Sequence, residues 1–275
     1  MEYIEVQIEG MDSTASETAT AALMDIGYES FLEEENRFCA YISAPDFDEV
    51  KLESVLWTLF QGKHVRYISS VVEKKNWNEE WEKNFEPVLI SGKCLIRAPF
   101  HKSVQGIQYD LVIEPKMSFG TAHHETTMLM IQWMLDEPVI GKHVLDMGCG
   151  TGVLAILAAK MGAKEVRAID NDEWAFNNAS ENVRRNNVPQ VHVIHGDEGS
   201  IPWGPFDVIL ANITRNTLME QMPAYYKAMA TSGALYISGF YSSDLEALKQ
   251  KAVETGFRFE SARGQHDWAA AKLIK

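Results

Sequence analysis

Between His143 and Asn212 the chain passes four times through a short apolar run: HVLDM, EVRAID, VHVIH and FDVILAN. The helix-forming segments VLAILAAKMG and EWAFNNASENVRRNN separate the first three. The alternation continues with a helix through LMEQMPAYYKAMA, the strand ALYISG and the helix DLEALKQKAVETG, and FRFESAR and WAAAKLIK end the chain as strands. Strands alternating with helices predict βαβ units around a parallel sheet, because parallel neighbours must be joined by a crossover. Ligands of such doubly wound sheets sit in the crevice outside the carboxyl ends of the strands. Directly after the first strand the chain reads Gly148-Cys149-Gly150-Thr151-Gly152. The crevice is therefore expected there.

The first 75 residues follow another plan. YIEVQIE alternates Ile4, Val6 and Ile8 with polar neighbours, as a half-buried strand does. SETATAALMDIG reads as a helix stopped at Gly27, and ESFLEEE and RFCAYIS as strands. DFDEVKLESVLWTLF is an amphipathic helix with Val50, Val55, Leu56 and Leu59 on its apolar side, and HVRYISSVVE is a last strand. This βαββαβ order predicts a small ferredoxin-like α+β domain over 1–75. In NWNEEWEKNF, the rings of Trp77, Trp81 and Phe85 fall four apart on one helical face, which predicts a docked linker helix over 76–88. The remainder, 89–275, is the Rossmann-like α/β domain. It opens with VLISGKCLIRAPF and YDLVIEP, read as a pair of strands, and the helix TTMLMIQWML.

Charge and composition exclude some partners. The net charge is −14, and 15 acids against 6 bases place −9 of it in residues 1–75. Such a chain is repelled by phosphate backbones, which counts against direct nucleic-acid binding and favours a basic partner. Charge alone is equally consistent with simple solubility. The acidic start lacks an apolar core, so no signal peptide is expected. MLMIQWML falls far short of the ~20 residues that span a bilayer, so no membrane segment is expected either. Cys39, Cys94 and Cys149 are too widely spaced for a disulfide framework or a metal site. A cytoplasmic protein without a metal is the expectation.

The glycine spacing selects the ligand. A dinucleotide loop reads G-x-G-x-x-G, whereas position 153 here is Val. Asp146, just before the loop, would repel a pyrophosphate but suits a ligand bearing an ammonium group. S-adenosylmethionine has that group and no phosphate, and Gly148 and Gly150 then cradle it. Asp170 ends the second strand, 22 positions after Gly148, where a carboxylate accepts from ribose hydroxyls. Asp172 is read as a helix N-terminal acid. Asp197, in HGDEGS, has two readings, a partner of the adenine amine or a loop acid. Asn212, at the end of the fourth strand, is placed to accept a hydrogen bond from an amine and aim its lone pair.

DMGCGTG, AIDND and LANI on a doubly wound sheet resemble a class I S-adenosylmethionine-dependent methyltransferase. FGTAHHETT (119–127) resembles the F-G-T-G-x-H-x-T-T segment of the PrmA family, and the domain order agrees over nearly the whole chain. The resemblance implies methylation of large-subunit ribosomal protein eleven at lysine side chains and an α-amino group, with up to three methyls each. It implies cofactor contacts at Thr127, Gly148, Asp170 and Asn212. Ala122 stands where the family has Gly and Glu125 where Pro is common; His124 is kept and His123 is extra. No N-P-P-Y follows Asn212, so the aromatic wall falls to Phe119 or Trp268.

Methyl transfer needs a neutral amine. For a lysine of pKa ~10.4 that costs about 4 kcal/mol near neutral pH. Asn212 is expected to orient the amine. His124 has two readings, a proton acceptor or a structural or cofactor-closing histidine, and water suffices as the acceptor. Three rival readings use parts of the same pattern. A nicotinamide dehydrogenase shares the sheet, but loop spacing and Asp146 disfavour it. A small-molecule methyltransferase shares 89–275 but has little use for 1–75. A non-catalytic ribosome-binding module has no use for the cofactor motifs.

Overall fold

The computed structural model describes residues 3–9, 13–34, 37–71, 86–114, 116, 120–202 and 204–275. The chain divides into two compact units, Met1–Glu80 and Trp81–Lys275. Trp77, Trp81 and Phe85, with the expected helix around them, lie outside the described residues. That helix does not reach 88, because Val88 opens a strand.

In the first unit the order is β1 (Tyr3–Glu9), α1 (Ser13–Met24), β2 (Ser30–Glu34), β3 (Arg37–Ser43), α2 (Glu49–Leu59) and β4 (Tyr67–Val71). The sheet order β2-β3-β1-β4, with every pair antiparallel, is the ferredoxin-like arrangement. Val6, Ile8, Ala40 and Ile42 from the sheet pack on Leu23 of α1 and on Leu52 and Leu56 of α2. Gly27, at φ +101°, turns the chain after α1. Asp48 caps α2 by accepting from the Val50 and Lys51 N–H groups. One expectation fails: Val50 is 76 % exposed, while Leu52 is 0 % exposed and takes the core position. The buried stripe runs through 52, 55, 56 and 59, and Val50 lies just outside it, in the first turn.

The second unit opens with β5 (Val88–Ile90), β6 (Cys94–Arg97) and β7 (Tyr109–Val112), which form a three-stranded sheet where a pair was expected. Ser91 and Gly92 both take positive φ, 50° and 66°, so a tight hairpin turn splits VLISGKCLIRAPF in two. After α3 (Glu125–Asp136) come β8 (His143–Met147), α4 (Val153–Lys160), β9 (Glu165–Asp170), α5 (Glu173–Arg185), β10 (Val191–His195) and β11 (Phe206–Asn212). Then follow α6 (Arg215–Ala228), β12 (Met229–Tyr241), α7 (Leu245–Thr255), β13 (Arg258–Gln265) and β14 (Trp268–Ile274). β12 is longer than ALYISG because Met229 already pairs with Phe206 of β11.

The large sheet runs β10-β9-β8-β11-β12-β14-β13, parallel through the first five strands, with β14 antiparallel to both neighbours. Alternation along β8 sends Val144 to one core with α3, α4 and α5, and Leu145 and Met147 to another with α6 and α7. From β8 the chain winds outward through β9 and β10, then returns to β11 on the other side of β8. The switch point lies between β8 and β11, and it fixes where a ligand crevice opens.

Candidate active site

A cavity of about 1090 Å³ opens at that switch point. Its floor is the loop after β8. The N–H groups of Gly148 and Cys149 donate to the Ile169 carbonyl at 2.8 and 3.0 Å, so the loop is pinned to β9. Gly148 takes φ +70°, and a Cβ there would fall 2.2 Å from Ile213 Cγ2 on the cavity wall. Gly152 takes φ +78° as the N-cap of α4, and a Cβ on it would meet Ala179 Cβ of α5 at 3.3 Å. Gly148 and Gly150 both line the cavity, as expected.

Asp170 lies beside them at the end of β9 and also lines the cavity. Its Oδ2 accepts from the Gly150 N–H at 2.8 Å and its Oδ1 from the Asp172 N–H at 3.0 Å. These bonds aim the carboxylate while leaving lone pairs for hydroxyl donors. Asp172 caps α5 through the Ala175 N–H at 2.8 Å, in agreement with its reading as a helix-start acid. Asp197 accepts from the Gly199 N–H at 2.9 Å and lines a small recess adjoining the cavity.

Asp146 sits beneath the loop. It is 1 % exposed and does not line the cavity. Its Oδ2 accepts from the Ala155 N–H at 3.0 Å, in the first turn of α4. The N-cap of that helix is Gly152, which has no side chain, so Asp146 satisfies a donor the cap cannot reach. Burial pushes the Asp146 carboxyl up to about 7, against the pull of the Ala155 N–H and with a further push from Asp170. Asp146 builds the loop from beneath, and a direct contact with a ligand ammonium does not follow.

Thr127 stands one layer behind the wall: it is buried, and its Oγ1 accepts from Asn212 Nδ2 at 3.2 Å. Its neighbour Thr126 stands in the wall instead. Asn212 does line the cavity, at the end of β11. With Nδ2 held by Thr127, its Oδ1 is a buried acceptor with no partner among the described residues. An orphaned acceptor of this kind costs stability unless a ligand supplies a donor.

His124 caps α3. Its Nδ1 accepts from the Thr126 N–H at 3.3 Å and lies 2.8 Å from Thr126 Oγ1. In that arrangement the ring proton sits on Nε2, so taking a proton from an amine would require giving up the cap. The geometry supports a structural role in α3 over the proton-acceptor one. The ring meets Trp268 edge-on at 4.7 Å, and Trp268 stacks on Tyr241 at 4.3 Å. Trp268 lines the cavity and supplies an aromatic wall; Phe119 lies outside the described residues.

The departures in the 119–127 segment have physical counterparts. Ala122 is fully buried at φ +67°, so the backbone keeps the left-handed conformation that glycine adopts more cheaply. Glu125, in the first turn of α3, reaches His266 Nδ1 at 3.4 Å. His123 Nε2 lies 3.0 Å from the Glu86 carbonyl. Gly120 is tied to the floor, its carbonyl accepting from Thr151 Oγ1 at 2.7 Å.

Sequence reasoning missed an asparagine ladder on α5. Asn182 accepts from the Glu114 N–H at 2.9 Å and donates to the Thr151 carbonyl at 3.0 Å. Asn186 accepts from the Val112 N–H at 2.9 Å and donates to the Val112 carbonyl at 2.7 Å. Asn182 bridges the segment just after β7 to the glycine loop, and Asn186, at the C-cap of α5, holds the end of β7 itself. It also missed Lys116 and Trp174 on the cavity rim; Trp174 is 76 % exposed there.

A glycine loop pinned beneath a large cavity, a carboxylate beside it and an amide oxygen without a partner among the described residues fit the class of S-adenosylmethionine-dependent methyltransferases. The sequence narrows that class. The family model described as ribosomal protein L11 methyltransferase (PrmA) matches residues 2–275. A ribosomal protein L11 methyltransferase of Bacteroides fragilis is 42 % identical over 264 residues, covering 95 % of this chain and 94 % of that one. One from Porphyromonas gingivalis is 42 % identical over 271 residues, with 94 % and 91 % covered. The crystal structure of a ribosomal protein L11 methylase from Lactobacillus delbrueckii subsp. bulgaricus superposes with a TM-score of 0.64 at 26 % identity, covering 69 % of this chain and 98 % of that one. The chain belongs to the ribosomal protein L11 methyltransferase (PrmA) family.

Proposed function

We propose that the protein methylates amines of ribosomal protein L11, lysine side chains and the α-amino group, using S-adenosylmethionine. The observation that carries this reading is the Asn212 amide: the residue stands in the cavity wall, its nitrogen is held by Thr127, and its buried oxygen has no partner among the described residues. An amine N–H donated to Oδ1 leaves the nitrogen lone pair directed by the amide, and that alignment is what a displacement at carbon requires. Gly148 and Gly150 would hold the amino-acid part of the cofactor and Asp170 its ribose. When bound, the cofactor supplies an activated methyl group on a sulfonium.

The residues around Asn212 favour the neutral amine. Trp268 and His124 wall the space with rings, and poor solvation of an ammonium there lowers its pKa. His124 keeps its lone pair in the α3 cap, so the proton leaves through water. Residues 1–75, with a net charge of −9, are assigned to capturing the basic target rather than to chemistry. The partner is a protein and not a nucleic acid, and the setting is the cytoplasm; among the described residues no helix is long and apolar enough to cross a membrane.

Asn212→Ala tests the assignment. Loss of one positioning contact should lower turnover on L11 by about 100-fold and weaken cofactor binding much less. An unchanged rate at saturating substrate would show that the amide is only structural.

A further inference from the structure

A recess of about 70 Å³ adjoins the main cavity, and the two share Gly148, Asp170, Asn171, Ile213 and Thr217. Its remaining wall includes Gly196, Asp197 and Gln221 of α6. Asp170 borders both spaces, so a base joined to a ribose held at Asp170 has this recess within reach. A carboxylate accepts hydrogen bonds and donates none, so Asp197 at the wall suits the exocyclic amine of adenine.

What fixes Asp197 is less obvious. It precedes a single 3-10 turn, Glu198–Ser200, none of whose residues is buried. Gly196, just before Asp197, is tied to β9 by its N–H, which donates to the Asp170 carbonyl at 2.9 Å; within the turn the Asp197 carbonyl accepts from the Ser200 N–H at 2.9 Å, a local bond that does not anchor the turn itself to the body of the unit. Glu198 does so, because its Oε2 accepts from Gln221 Nε2 at 2.9 Å. The Gln221 amide is itself oriented, since its Oε1 accepts from the hydroxyl of Tyr225, a fully buried residue one turn further along α6. A rigid chain thus runs from the core through Tyr225, Gln221 and Glu198 to the residue beside Asp197.

We propose that Gln221 is a positioning residue for nucleobase selection. By holding Glu198 it sets the Asp197 carboxylate to face a 6-amino purine, so the adenosyl cofactor is accepted and a 6-oxo counterpart, whose oxygen lone pairs would face the carboxylate, is rejected. The proposal rests on Asp170 being the ribose-holding group.

The test is calorimetric, on the full chain, with S-adenosylhomocysteine and S-inosylhomocysteine as probes. Gln221→Leu should lower the preference for the adenosyl compound by about tenfold, the scale of one hydrogen bond to a charged group. Asp197→Asn should lower it too, because an amide can donate to the oxo group. Gln221→Glu sets two carboxylates against each other and should lower the preference; adding Glu198→Gln exchanges donor and acceptor and should restore it. This exchange pair decides the matter if Gln221→Leu does not fold. A preference lost in Asp197→Asn but kept in Gln221→Leu, or in Gln221→Glu alone, overturns the role of Gln221. A preference kept in all variants overturns it as well, and removes the placement of the base beside Asp170 with it.

Discussion

Two buried residues near the loop carry costs that measurements can expose. Asp146 is held above the ordinary carboxylate range, to about 7, chiefly by burial. The folded state therefore keeps a proton that the unfolded chain releases near pH 4, and the carboxyl destabilises the fold increasingly as pH rises from about 4 to 7. Asp146→Asn keeps an acceptor for the Ala155 N–H and has nothing to release. Denaturant unfolding should show the variant gaining on the wild type across that window, by a few kcal/mol in all. Parallel stability curves would contradict the assignment. Ala122 sits at φ +67° with no exposure. Ala122→Gly relieves strain of about 1–2 kcal/mol but gives up a buried methyl and adds freedom to the unfolded chain, so the melting temperature should barely move. Ala122→Val combines the wrong backbone region with overpacking and should cost about 2–4 kcal/mol by thermal unfolding.

Elements differ in how openly the sequence announces them. β8 to β11 are legible because each apolar run has the length of a strand and is bounded by turn residues, and the glycine spacing marks the loop between β8 and α4. The β5–β6 hairpin was hidden because Ser91-Gly92 interrupts a run that otherwise reads as one strand. At the site, Gly148 and Gly150 could be placed at the cavity from the glycine spacing and Asp170 and Asn212 from strand ends, while Trp268 was one of two candidates for the wall. Asp146 could not, because strand position does not say whether a polar side chain faces the crevice or the packing beneath it, and Thr127, on α3, rested on the resemblance alone. The asparagines of α5 were illegible for a related reason: on a helix they read as a solvated face until β7 supplies the backbone they bind. Asn182→Ala should leave the Glu114 N–H and the Thr151 carbonyl unsatisfied, costing about 2–4 kcal/mol, and should weaken S-adenosylmethionine binding through the loosened loop. Chemical denaturation with calorimetry checks both; a stable variant with undiminished affinity would show that the ladder does not support the site.

On the scale of the whole molecule, we propose that the two units divide the task. The seven-stranded sheet and both of its cores lie within residues 81–275, so a chain starting at Asn76 should still bind S-adenosylmethionine. Without the −9 of residues 1–75 it should lose most of its rate on L11, and L11 binding to the full chain should weaken with salt, since exposed charges are screened over ~10 Å at 0.1 M. A folded truncated chain with the full rate on L11 would remove the recognition role and favour a smaller substrate. The most direct measurement is intact and peptide mass spectrometry of L11 after incubation with the full-length protein and methyl-deuterated S-adenosylmethionine. The account predicts labelled methyl groups on lysine side chains and the α-amino nitrogen of L11, and their near absence with Asn212→Ala. Cofactor binding without any label on L11 would contradict it.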